Sequence, residues 1–158
     1  MFWTELLRVI LATILGGIIG LEREFHGKAA GLRTNLLICL GAAVFTIISK
    51  QMAQGVDNSS LTRIAAQIVT GVGFLGAGAI IQDTGGIHGL TTAATIWLVA
   101  SIGMDCGAGL YRLAILVTVI AMFVLIGLGH LARPFDKYAE KHQRKGDSDD
   151  NHPNRSES

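Results

Sequence analysis

The residues with the most chemical potential stand close together. Residues 22 to 35 read Glu22, Arg23, Glu24, Phe25, His26, Gly27, Lys28, Ala29, Ala30, Gly31, Leu32, Arg33, Thr34, Asn35, a stretch denser in charge than anything before the C-terminal tail. Glu22 and Arg23 directly follow one apolar run, and Arg33, Thr34 and Asn35 open another. Charges at the rim of hydrocarbon are held by partners or face a cavity. Thr34 or Asn35 at a helix start caps free backbone N–H groups, and with Arg33 beside them that end suits an anionic group. The plainer alternative is a hydrated turn, or a structural Glu22–Arg33 ion pair that closes a helical hairpin.

Other polar residues are sparser. Arg63 and Gln67 are one helical turn apart, with Thr70 on a neighbouring face, and such groups often only knit helices together. Asp83 and His88 flank a Gly-Gly pair and supply two potential ligands with nothing else fixed, so no metal site is assigned. Gly71, Gly73 and Gly76 match the spacing of a dinucleotide fingerprint. They lie inside an apolar run with no preceding strand, and helix packing is the better reading. No nucleophile with a neighbouring base, no carboxylate pair with metal spacing and no phosphate loop is visible, so neither an enzyme nor a cofactor is expected.

The elements that must position these groups are membrane helices. Half of the 158 residues are hydrophobic, the mean hydropathy is +0.47, and Leu36 to Ser49 contains no ionisable group except Cys39. The expected fold is all-α: a polytopic bundle of about five spans, near 2–21, 34–53, 64–81, 90–106 and 110–131, within a membrane domain of residues 1–132. The fourth span is short and has a re-entrant segment as its rival. In lipid, helices associate by close backbone approach, so Gly16 and Gly20 in the first helix and Gly73 and Ala77 in the third are expected to form packing faces. Cys39 and Cys106 are expected ~15–20 Å apart in depth, too far to pair, and two cysteines make no disulfide framework or zinc cluster.

Short connections on the cytoplasmic side collect Lys and Arg. With five spans, eight basic residues near the membrane fall on the side of the 22–33 connection, the 82–89 connection and the tail, against Arg8, Lys50, Arg63 and Arg112 on the other. The N-terminus is therefore expected outside and the C-terminus in the cytoplasm, with the first helix kept as a span. Residues 133–145 carry five basic and two acidic side chains and suit anionic headgroups. Residues 146–158 have no large apolar group, and a largely disordered cytoplasmic tail is expected at 133–158. The net charge of +1 gives no footprint for nucleic acid. A shift of 58 residues pairs Gly20 with Gly78, Gly31 with Gly89 and Thr34 with Thr92, from either a duplicated helical hairpin or coincidence in a glycine-rich chain.

Five motifs in order resemble the MgtC/SapB family of bacterial membrane proteins. They are Gly16-Gly-x-x-Gly-Leu-Glu-Arg-Glu, Ala30-Gly-Leu-Arg-Thr-Asn, Arg63-Ile-Ala-Ala-Gln, Gly71-Val-Gly-Phe-Leu-Gly-Ala-Gly-Ala-Ile and Gly89-Leu-Thr-Thr-Ala-Ala-Thr-Ile-Trp. The resemblance covers residues 10 to about 112 and implies a multi-pass protein of the bacterial inner membrane. It also implies a link to growth in low magnesium and, in pathogens, to virulence through survival in macrophages. The positions matching family motifs include Glu22, Arg33, Asn35, Arg63, Gln67, Thr91, Thr92 and Trp97. Virulence-type members carry a soluble C-terminal domain, whereas this chain resembles a short form. The resemblance further implies a regulator that binds other membrane proteins, among them the ATP synthase or a Mg²⁺ transporter, with self-association expected too. A Mg²⁺ transporter or channel subunit is the alternative. An ion path calls for carboxylates at membrane depth, and the middle of all five spans has none.

Overall fold

The computed structural model describes residues 2–53, 59–83 and 86–128, with backbone only for 59–64, 83 and 128. Its elements are α1 (Phe2–Phe25), α2 (Leu32–Met52), α3 (Ser59–Gly78), the strands β1 (Ile81–Asp83) and β2 (Gly86–His88), α4 (Leu90–Ala108) and α5 (Tyr111–Phe123), which runs into a π-helical turn, Val124–Leu128. The all-α reading holds, with one two-stranded antiparallel hairpin between α3 and α4 that pairs Ile81 with His88 and Asp83 with Gly86. Three-residue strands are too short to leave an alternating pattern in sequence. Residues to Val119 form one compact unit, and 120–128 belong to a second.

Three helices, α1, α2 and α4, are long and apolar enough to cross a membrane; α3 and α5 hold shorter apolar stretches, Ala65–Gly78 and Tyr111–Gly127. Helix α4, for which a re-entrant segment is the rival reading, is one of the three by length and composition. Large side chains such as Trp3, Leu37, Phe45 and Phe74 point outward, where lipid is the natural solvent for them. The tail at 133–158 lies outside the described residues.

Helix α2 is the hub, clasped by glycines from both sides. On one side a methyl group at Gly16 would stand 2.5 Å from Cys39 Cβ, and one at Gly20 would stand 2.9 Å from Leu32 Cα. On the other, a methyl group at Gly103 of α4 would strike the Cys39 carbonyl, and one at Gly107 would stand 2.5 Å from the Ala43 oxygen. Only hydrogen fits at these four crossings, and backbone-to-backbone approach of this kind is how helices adhere without a hydrophobic drive.

The same contacts fix the register. Gly103 abuts Cys39 and Gly107 abuts Ala43, so α2 and α4 run parallel, with Leu32 level with Ile96. Helix α4 therefore begins about six residues, ~9 Å at 1.5 Å per residue, before α2. This register overturns the expected separation of the cysteines. Gly103 abuts Cys39 and Cys106 is three residues further on, so the two buried, free cysteines stand ~4.5 Å apart in depth.

At the far end, where α1 begins and α2 and α4 end, charge closes the bundle. Arg8 donates to the Gly107 carbonyl at 3.0 Å and to the Tyr111 hydroxyl at 3.3 Å, and Lys50 donates to the Ala108 carbonyl at 2.9 Å. Both cations sit on the unsatisfied carbonyls at the negative end of α4. Gly109, at φ +88°, ends that helix with its N–H on the Cys106 carbonyl while Leu110 N–H reaches Asp105. Gln51 adds a 2.8 Å bond to Glu5.

Candidate functional site

The charged stretch at 22–35 folds as a continuation of α1 followed by a short turn. Helix α1 runs on through Glu22, Arg23 and Glu24 to Phe25, past the expected end at residue 21, because each of those groups finds a partner. Glu22 and Arg23 are almost fully buried, at 6% and 4% exposure. The Arg23 guanidinium holds both carboxylate oxygens of its neighbour, with Nη2 at 2.6 Å from Oε1 and Nε on Oε2. His26 Nδ1 lies 3.2 Å from Glu22 Oε1 and 2.9 Å from the Glu22 carbonyl. The ion pair of Glu22 is thus with Arg23, and the Glu22–Arg33 pair weighed from sequence is not formed. Adjacent residues on a helix point about 100° apart, so this pairing has no periodic signature.

Each neighbouring residue then closes the turn. Glu24 Oε2 accepts the Leu32 N–H at 2.9 Å, capping the first turn of α2 from eight residues away. Asn35, with no exposed surface, donates through Nδ2 to the Ala30 and Gly31 carbonyls, each at 2.8 Å. Its Oδ1 is buried with no hydrogen-bond partner. Gly20 packs against Leu32 and Gly103 against Cys39, which puts the Glu22–Arg23 pair level with the second turn of α4, near Thr95. Glu22 and Arg23 are therefore folded into the bundle at one end and satisfied by each other, while Asn35 beside them spends its amide N–H groups on backbone carbonyls.

The cluster read from sequence divides in two. Glu22, Arg23 and Asn35 form the buried set, whereas Arg33 and Thr34 face outward from α2. Thr92 is buried and Thr91 exposed at the start of α4. The two Gly-Leu-x-Thr helix starts do not bring their N-termini side by side, because α4 begins ~9 Å earlier. The connections differ as well. A turn with Gly27 at φ +61° joins α1 to α2, while a β-hairpin joins α3 to α4, where Gly89 at φ +88° faces the Ala79 carbonyl. Gln67 is exposed on α3, and the Arg63 side chain lies outside the described residues. Gly73 and Ala77 correct the packing expectation. Both are exposed, and a methyl group at Gly73 would meet nothing within 4 Å, because α3 turns its opposite side to α2 and α4.

The contributions of Glu24, Arg8 and Lys50 were not legible from spacing, since each bonds to backbone far away in sequence. Between α2 and α3 lie two apolar cavities, of about 610 and 480 Å³, opening from the turn end along the helices. Among the described residues, no group of three metal-ligating side chains converges.

Comparison with known proteins agrees with the motif pattern. The MgtC family model matches residues 9–133. The YhiD protein of Escherichia coli K12 is 51% identical over 125 residues, covering 76% of this chain and 58% of that protein. The MgtC protein of Brucella abortus strain 2308 is 46% identical over 129 residues, covering 82% and 51%. That of Salmonella paratyphi A is 43% identical over 141 residues, covering 86% and 59%. The chain thus spans little more than half the length of these relatives. No solved structure matches it.

Proposed function

This chain belongs to the MgtC family, and from that premise we propose that it is a regulatory protein of the bacterial inner membrane. On this reading it acts by binding other membrane proteins under magnesium limitation, with its N-terminus outside and its C-terminus in the cytoplasm. One observation carries the reading. The faces that join α1, α2 and α4 are closed by glycine contacts and hold no carboxylate at mid-depth. Among the described residues Glu5 and Asp105 stand toward the far end, Glu24 caps α2, and Glu22, the one buried acid, is neutralised by Arg23. A cation crossing such a bundle would have neither an opening nor fixed negative charge to replace its hydration. The alternative is a Mg²⁺ transporter, favoured by the provisional naming of the YhiD relative as a magnesium transporter.

A regulator needs a docking face, and the outward side of α3 suits one. Gly73 and Ala77 are one turn apart and exposed, which permits close approach by a helix of a partner or of a second copy. Gly73→Leu is therefore expected to leave membrane abundance and melting temperature unchanged. In a strain that depends on this protein for growth in low-Mg²⁺ medium, it should abolish that growth. Normal growth at normal abundance would remove the α3 face as the docking surface.

A further inference from the structure

We infer that the groove between α2 and α3 holds one anionic phospholipid, drawn from the leaflet on the side of the α1–α2 turn. The two cavities share Leu37, Ile38 and Leu75 and so form one continuous slot. Its walls are apolar, from Leu37 and Ile38 through Val72 and Ile68 to Phe45, with Gln67 toward the deep end. Small residues open its middle. A methyl group at Gly41 or Gly71 would meet nothing within 4 Å. From Arg33 to Phe45 the slot follows α2 for ~18 Å at 1.5 Å per residue, enough for the ~15 Å depth of one leaflet of hydrocarbon.

The mouth supplies the charge preference. Arg33 and Thr34 line it, next to the turn that carries Lys28. The carboxylates on that turn are occupied elsewhere, Glu22 with Arg23 and Glu24 with the Leu32 N–H. Lys28 and Arg33 are exposed and have no acidic partner among the described residues. Arg33 at the rim and Lys28 on the adjoining turn, above a slot that is apolar except for Gln67 at its deep end, complement a phosphodiester joined to an acyl chain. A second copy is a poorer occupant, because two chains in the same membrane orientation would meet with Arg33 against Arg33 at one depth. A partner helix would have to bring its own acid to the rim. The groove lies on the side of α3 opposite Gly73 and Ala77, so lipid and a docked protein would not compete.

The test is native mass spectrometry of the full chain, released from detergent after incubation with equal amounts of dioleoyl phosphatidylglycerol and dioleoyl phosphatidylethanolamine. One phosphatidylglycerol per chain is expected to be retained, with a preference of about fivefold for each rim cation. Arg33→Gln should cut that preference about fivefold while lipid is still held. Gly71→Leu, which fills the slot, should remove most bound lipid of either kind; if that variant loses its helical circular dichroism, Gly41→Leu replaces it. Equal retention of the two lipids by the wild-type chain would overturn the inference. So would undiminished binding by a folded slot-filling variant, or a dimer that the same variant dissociates.

Discussion

Replacing Gly103 with leucine is expected to remove most folded protein from the membrane. The new side chain would enter a space already occupied by the Cys39 carbonyl, and backbone cannot rotate aside as a flexible side chain can. Either α4 leaves α2 or the helices shift, at a cost of about 3 kcal/mol or more, the upper part of the range for overpacking. Gly16→Leu should behave alike from the other side of α2, since its Cβ would stand 2.5 Å from that of Cys39. Losses of this size lower steady-state abundance severalfold or more. Gly73→Leu is the internal control, with open space around it and no expected change. The check is membrane abundance together with a melting curve in mild detergent. Three variants with the same stability would refute the glycine clasp.

The second large effect is expected at the buried pair. Glu22→Gln strands the Arg23 guanidinium in the bundle, and Arg23→Met strands the carboxylate, with His26 as its remaining neighbour. Either single change should cost about 3–5 kcal/mol, because it leaves an uncompensated buried charge. The double variant Glu22→Gln/Arg23→Met removes both charges and should regain much of the lost stability. Thermal unfolding of the four proteins gives the coupling directly. Additive losses in the double variant would mean that the two charges do not support one another.

The apolar runs announced α1, α2 and α4, and small residues at four-residue spacing correctly marked Gly16 and Gly20 as sites of close contact. The identical spacing of Gly73 and Ala77 did not lead to burial. Spacing reveals a face that permits close approach, and only the neighbours determine whether anything approaches it. The charged turn was recognisable as the functional candidate, yet its wiring was not. Arg23 pairs with the residue beside it, Glu24 reaches eight positions forward, and Arg8 reaches across the bundle to α4. None of these follows a helical period, so each waits on the tertiary arrangement. The misplaced cysteine depth has the same origin: the stagger of α4 along α2 is set by Gly103 and Gly107 against Cys39 and Ala43, a register that neither helix carries alone.

The buried pair and the exposed rim also divide the candidate site by role. Glu22, Arg23 and Asn35 are walled in and consume their polar groups on the turn itself, apart from Asn35 Oδ1, so their loss should act first on folding. Arg33, with Thr34 and Lys28, faces outward and should act on recognition without loss of protein.

The choice between a regulator and an ion carrier rests on whether the glycine-closed bundle passes Mg²⁺. The most direct measurement is Mg²⁺ entry into proteoliposomes that contain only this chain and an enclosed Mg²⁺-sensitive dye, with empty liposomes alongside. A regulator gives the same entry as the empty liposomes at every protein density. Saturable entry that rises with the amount of reconstituted protein would contradict the proposed function and make the chain a transporter.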